Sequence, residues 1–126
     1  MGYRSDVGIV LTKESNTYIL EHIESNEIKQ LLLDNIHGQN EENGEVFYLI
    51  EYVKWYTDYD AELRQLHDLI LGLDERTFLY IILGEDFEDM EIHGLFHENS
   101  FEVNVSRLTS ELVTLRHKVE ILQNKD

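Results

Sequence analysis

The sequence predicts an α+β fold: a mainly antiparallel sheet of four to five strands with helices packed on one face, followed by a C-terminal amphipathic helix. Three observations predict it. Short runs dense in β-branched and aromatic residues recur at 6–12, 45–56, 77–83, 90–96 and 101–105, and such runs suit strands with one or both faces buried. Leu63, Leu66, Ile70 and Leu73 follow one another at spacings of 3, 4 and 3, the stripe of an amphipathic helix. Near the end, Leu108, Leu112, Leu115, Val119 and Leu122 repeat at 4, 3, 4 and 3, a heptad rhythm.

Taken in order, Asp6-Val7-Gly8-Ile9-Val10-Leu11-Thr12 is apolar on both faces and reads as a buried strand, broken by Lys13-Glu14-Ser15-Asn16. From Thr17 to Ile36 the apolar positions fit a helix except around Glu24-Ser25-Asn26, so two helical pieces are expected, the second capped by Ser25 or Asn26. His37 to Gly44 is polar, carries two glycines and reads as a loop. Residues 45–56 form the strongest strand signal. Asp58, Asp60 and Glu62 then suit the positive end of a helix dipole and open the central helix. Thr77–Leu83 is a third strand, Gly84-Glu85-Asp86 a turn, Met90–Phe96 a fourth strand, and 101–105 alternates as a fifth. The resulting order, β-α-α-β-α-β-β-β, places helices on one face of the sheet. The heptad stripe covers about two heptads, too short for a stable free helix. It must pack on its own sheet or on a copy of itself, and Leu112, Leu115 and Val119 would form the seam of self-association into a homo-oligomer.

A chain of 126 residues with 42% hydrophobic residues supports one globular domain, expected over 1–105 with the helical segment 106–126 attached. No apolar run approaches the ~18 residues of a membrane span, and the first residues lack the apolar stretch of a signal peptide, so a soluble protein of the cytoplasm is expected. The chain has no cysteine, which excludes disulfides, thiolate metal sites and cysteine nucleophiles. Charge is more informative. The formal net charge is −16, and residues 1–100, with 22 acids against 6 bases, carry all of it, while 101–126 are balanced. An acidic body repels phosphate, which argues against direct nucleic-acid binding and against adsorption to anionic membranes. It attracts basic partners.

The densest acidic cluster is Glu85, Asp86, Glu88, Asp89 and Glu91, with His93 and His97 close behind. Carboxylates and imidazoles can hold a divalent cation, but this spacing matches neither the Ca²⁺ loop nor a His-Glu-x-x-His helix, so no metal and no cofactor is assigned. An acidic edge that keeps strands from pairing between molecules is the simpler reading. The nucleophile elbow, the dinucleotide fingerprint and the phosphate-binding loop are all absent, so no catalytic residue is assigned and the protein is expected not to be an enzyme. Tyr48, Tyr52, Trp55, Tyr56 and Tyr59 crowd one strand and the turn after it. Trp and Tyr anchor protein interfaces, although they also fill small cores.

The opening Met1-Gly2-Tyr3-Arg4-Ser5-Asp6-Val7, with Val53-Lys54-Trp55-Tyr56 and Phe78–Leu83 followed by Gly84-Glu85-Asp86, resembles a group of small acidic α+β proteins encoded by bacteriophages. The resemblance implies a viral origin and a host bacterial cytoplasm, and transfers no catalytic residue. The combined expectation is an accessory or anti-defence protein that occludes a basic, nucleic-acid-binding surface of a host protein as a nucleic-acid mimic. Glu85, Asp86, Glu88, Asp89 and Glu91 would supply the charge, and Trp55, Tyr56 and Tyr59 the contact. The alternative is a protein acting on a host signalling nucleotide, by sequestering it or by metal-dependent phosphoester hydrolysis.

Overall fold

The structure, a computed structural model, describes residues 4–85 and 89–101. Within them the chain forms β1 (Ser5–Leu11), α1 (Lys13–His22), α2 (Asn26–Asp34), β2 (Ile36–Gln39), β3 (Val46–Val53), α3 (Ala61–Leu71), a short 3-10 turn (Glu75–Thr77), β4 (Phe78–Leu83) and β5 (Met90–His93). The five strands make one antiparallel sheet in the order β2-β3-β1-β4-β5. The α+β class and the antiparallel sheet are as the sequence predicts.

β1 is buried along its whole length, which explains why its sequence is apolar on both faces. Val7, Ile9 and Leu11 point to one side with Val46, Tyr48, Ile50, Phe78 and Tyr80, and all three helices bury their apolar stripes there: Ile19 of α1, Ile28 and Leu32 of α2, and Leu63, Leu66 and Ile70 of α3. Val10, Phe47, Leu49, Leu79, Ile81 and Leu83 form a second apolar cluster, with Phe96 and Phe101 packed against it. On the helical side the Tyr48 hydroxyl donates to Asn16 Oδ1 at 2.6 Å and ties α1 to β3. Burial pushes the Tyr48 pKa up to about 12, so the phenol stays a donor at every physiological pH.

Each helix start has a local cause. The Thr12 hydroxyl accepts from Ser15 N–H, the Ser25 hydroxyl from Ile28 N–H, and the Asp60 carboxylate from the N–H groups of Glu62 and Leu63. Thr12 begins α1 earlier than the sequence suggests, because Lys13 to Asn16 form its first turn rather than a break.

Three further boundaries differ from expectation. Residues 36–39 form β2, where the sequence reads the end of a helix and a loop. β2 lies at the sheet edge with most of its residues exposed, so it has no buried face to impose an alternating pattern. β3 stops at Val53 rather than Tyr56, because Val53 pairs with Ser5, the first residue of β1; the β1–β3 register shifts between Ser5↔Val53 and Val7↔Ile50. Tyr52 adopts φ +54 at this bulge, the left-handed region uncommon for a non-glycine residue, and its N–H donates to the buried Asp6 carboxylate at 2.8 Å. β5 ends at His93 because Gly94 turns the chain with φ +92, bringing it against Phe78. Of the predicted strand 101–105 only Phe101 is described, in a turn; 102–105 and the heptad helix 106–126 fall outside the described residues.

Candidate functional site

The antiparallel order gathers four chain segments at one end of the sheet: the start of β1, the end of β3, the end of β4 and the start of β5. Residues far apart in sequence therefore meet. A cleft of about 130 Å³ opens there, lined by Ser5, Trp55, Tyr56, Thr57, Ile82, Gly84, Asp89 and Glu91. The fold thus places two carboxylates of the predicted acidic cluster, Asp89 and Glu91, on the same cleft as two predicted contact aromatics, Trp55 and Tyr56.

The other predicted residues divide. Glu85 is exposed, and one of its carboxylate oxygens accepts from the Arg4 N–H at 2.6 Å, joining the start of β1 to the end of β4. Asp86 and Glu88 lie outside the described residues, as do Leu112, Leu115 and Val119. Tyr59 is 91% exposed. Trp55 is only 7% exposed and belongs to the main core, so it forms the cleft's inner wall rather than a protruding anchor. Tyr52, which the sequence groups with the aromatics without singling it out, is 72% exposed, with the Arg4 guanidinium 5.3 Å from its ring centroid.

The surroundings are acidic. Glu51 and Asp60 are exposed at this end, and Asp58 is exposed in the turn that leads into α3. Of the arginines near this end, Arg64 pairs with both Asp58 (3.2 Å) and Asp68 (3.1 Å), while the Arg4 guanidinium lies over Tyr52. These pairs are solvent-exposed and weak individually, but they leave the net negative charge in place.

Behind the cleft wall lies a polar chain that the sequence does not announce. Trp55 Nε1–H donates to the Tyr80 hydroxyl at 2.8 Å, and the same hydroxyl lies 2.9 Å from His67 Nδ1. The Tyr80 hydroxyl has one proton to give while its oxygen accepts from the indole; donated to His67 Nδ1, it requires the neutral imidazole with its proton on Nε2. Burial holds the His67 pKa below the usual histidine value; the Glu91 charge opposes this and His93 adds to it. Burial likewise raises the Tyr80 pKa. The His93 ring stands 6.2 Å from His67 and 5.9 Å from Tyr80, and its Nε2 is 3.4 Å from Glu91 Oε2. His67 therefore sits at the boundary of the core, as its place beside Leu66 suggests. Among the described residues no group of three or more His, Asp or Glu side chains is arranged to hold a metal ion. His97 follows β5 in irregular chain and lines an open depression with Arg76, Leu95, Phe96 and Glu98.

No helix among the described residues is long and apolar enough to cross a membrane. No protein-family model, curated protein or solved structure matches the chain.

Proposed function

We propose that this protein is a non-enzymatic, phage-like accessory or anti-defence factor that binds a basic, nucleic-acid-binding surface of a host protein and occludes it. One observation carries the reading: Asp89 and Glu91 share a cleft with Trp55 and Tyr56, at the end of the sheet where Tyr52 and Tyr59 are exposed. Carboxylates and apolar ring surface on one patch are what a groove rich in Lys and Arg would meet in place of phosphates and bases. The mechanism is competitive. The acids neutralise the cations that otherwise hold the nucleic-acid backbone, and the tyrosines cover the apolar surface between them. Single exposed ion pairs contribute only about 0.2–1 kcal/mol, so affinity comes from many acids acting together and falls as salt screens them.

The test has two stages. Affinity capture from bacterial lysate at low and high salt identifies a partner retained only at low salt. Displacement of a labelled DNA duplex from that purified partner is then titrated. Competitive displacement is expected, with the Asp89→Lys/Glu91→Lys variant weakened roughly tenfold or more while melting normally; a tenfold loss corresponds to about 1.4 kcal/mol. A duplex that stays bound at saturating protein, or a charge-reversed variant that competes equally well, would refute the reading.

A further inference from the structure

We propose that residues 106–126 close the second face of the sheet within their own chain, as a helix laid over it with Leu108, Leu112, Leu115, Val119 and Leu122 turned inward. This is independent of the binding function proposed above. The three described helices all pack on the other face. On the second face Val10, Phe47, Leu49, Leu79, Ile81 and Leu83 are buried, and among the described residues the partly buried hydrophobics against them are Phe96 and Phe101. Two aromatic rings are too little to cover six large side chains drawn from three strands.

The place where the described chain ends points to the occupant. Glu45 Oε1 accepts from Ser100 N–H (2.7 Å) and from the Ser100 hydroxyl (2.8 Å), pinning the chain at the β2–β3 connection. The next residue, Phe101, already lies on the second face: its ring centroid is 6.0 Å from that of Phe47, and its ring carbons stand 3.0 Å from where a Cβ on Gly38 would be. The chain therefore arrives at this face with 25 residues still to follow. Residues 108–122 as a helix span about 22 Å. The five strands, about 4.8 Å apart, span about 19 Å, and the seven residues of β1 about 23 Å. The lengths match in either direction.

Charge and connectivity favour the chain's own segment over a second copy. Residues 101–126 carry four acids and four bases, so laying them on a strongly acidic body adds no net charge. A segment joined by so few residues faces its site at an effective concentration in the millimolar range, which a second molecule does not match in dilute solution. The stripe is thereby used inside the molecule, and the self-association seam expected at Leu112, Leu115 and Val119 is not available to a partner copy.

The absence of cysteine makes the test direct. Two variants of the full chain, Leu49→Cys/Leu115→Cys and Leu79→Cys/Leu112→Cys, are treated with a short bis-maleimide and analysed by mass and by peptide mapping. A cross-link inside one 14.9 kDa chain, in a yield independent of protein concentration, is expected in at least one pair. Links found only between two chains, or no link in either pair, overturn the proposal. As a check free of engineered cysteines, Leu112→Asp/Leu115→Asp should lower Tm by roughly 10 °C or more and increase binding of a hydrophobic dye. An unchanged melt contradicts the packing.

Discussion

The Tyr80 hydroxyl stands between two nitrogens on different elements, the Trp55 indole after β3 and the His67 imidazole on α3, and its position decides what single substitutions do. Tyr80→Phe leaves a buried indole N–H without an acceptor, which costs about 1–3 kcal/mol; a urea titration followed by Trp55 fluorescence reads it. His67 links stability to pH. Its folded pKa is depressed, so between that value and the unfolded pKa of about 6.5 the unfolded chain binds the extra proton. The contribution of His67 is therefore fully present above about pH 6.5 and is lost as pH falls toward the folded pKa. Comparison of wild type with His67→Leu in urea from pH 8 to pH 5 should show the difference in stability shifting against the wild type below about pH 6.5. A difference that is constant across that range contradicts the neutral, tyrosine-bonded histidine. This chain of groups was not legible in the sequence, because a Trp, a His and a Tyr at 55, 67 and 80 share no spacing. Only the antiparallel order of β3, β1 and β4 under α3 brings them together.

At the scale of elements, legibility followed burial. β1, the α3 stripe and β4 were readable because both faces of a central strand, or one face of a helix, impose a pattern on the residues there. β2 was not, since His37 and Gly38 sit on an edge strand where pairing with β3 asks little of side chains. Half of the site was visible in the same way: the acids at 85–91 and the aromatics at 55–59 stand out by composition, while their shared cleft depends on which strand ends coincide. The turn after β5 is equally a matter of backbone. A Cβ at Gly94 would lie 2.1 Å from the Phe78 carbonyl oxygen, and φ there is +92. Gly94→Ala is expected to destabilise by more than about 1 kcal/mol, read as a lower urea midpoint, whereas alanine at Gly72, which meets nothing closer than 3.4 Å, should be tolerated.

For the whole molecule, a net charge of −16 on 126 residues means that the compact state repels itself. The ion pairs seen on α3 and at Arg76–Asp74 are exposed and contribute little against it. Added salt should therefore stabilise the fold. Tm is expected to rise by a few degrees between 20 mM and 500 mM sodium chloride, over which the screening length falls from about 20 Å to about 4 Å. A fall in Tm over that range would mean that the ion pairs outweigh the repulsion. The same salt weakens the proposed partner complex, so stability and binding should move in opposite directions along one titration.

The bulge at Tyr52 acts as a change of reading frame. Upstream of it the even-numbered residues Val46, Tyr48 and Ile50 face the helices; downstream the odd-numbered Val53 and Trp55 do. One extra residue in β3 is what turns the tryptophan inward. A single-residue deletion at 51 or 52 would remove the bulge and leave Val53 and Trp55 facing the helices by regular alternation from Ile50. Straightening the bulge with the residue count unchanged would instead send Trp55 outward and bring Tyr56 toward the helices, exchanging the inner wall of the cleft for its rim without altering any residue that forms either one.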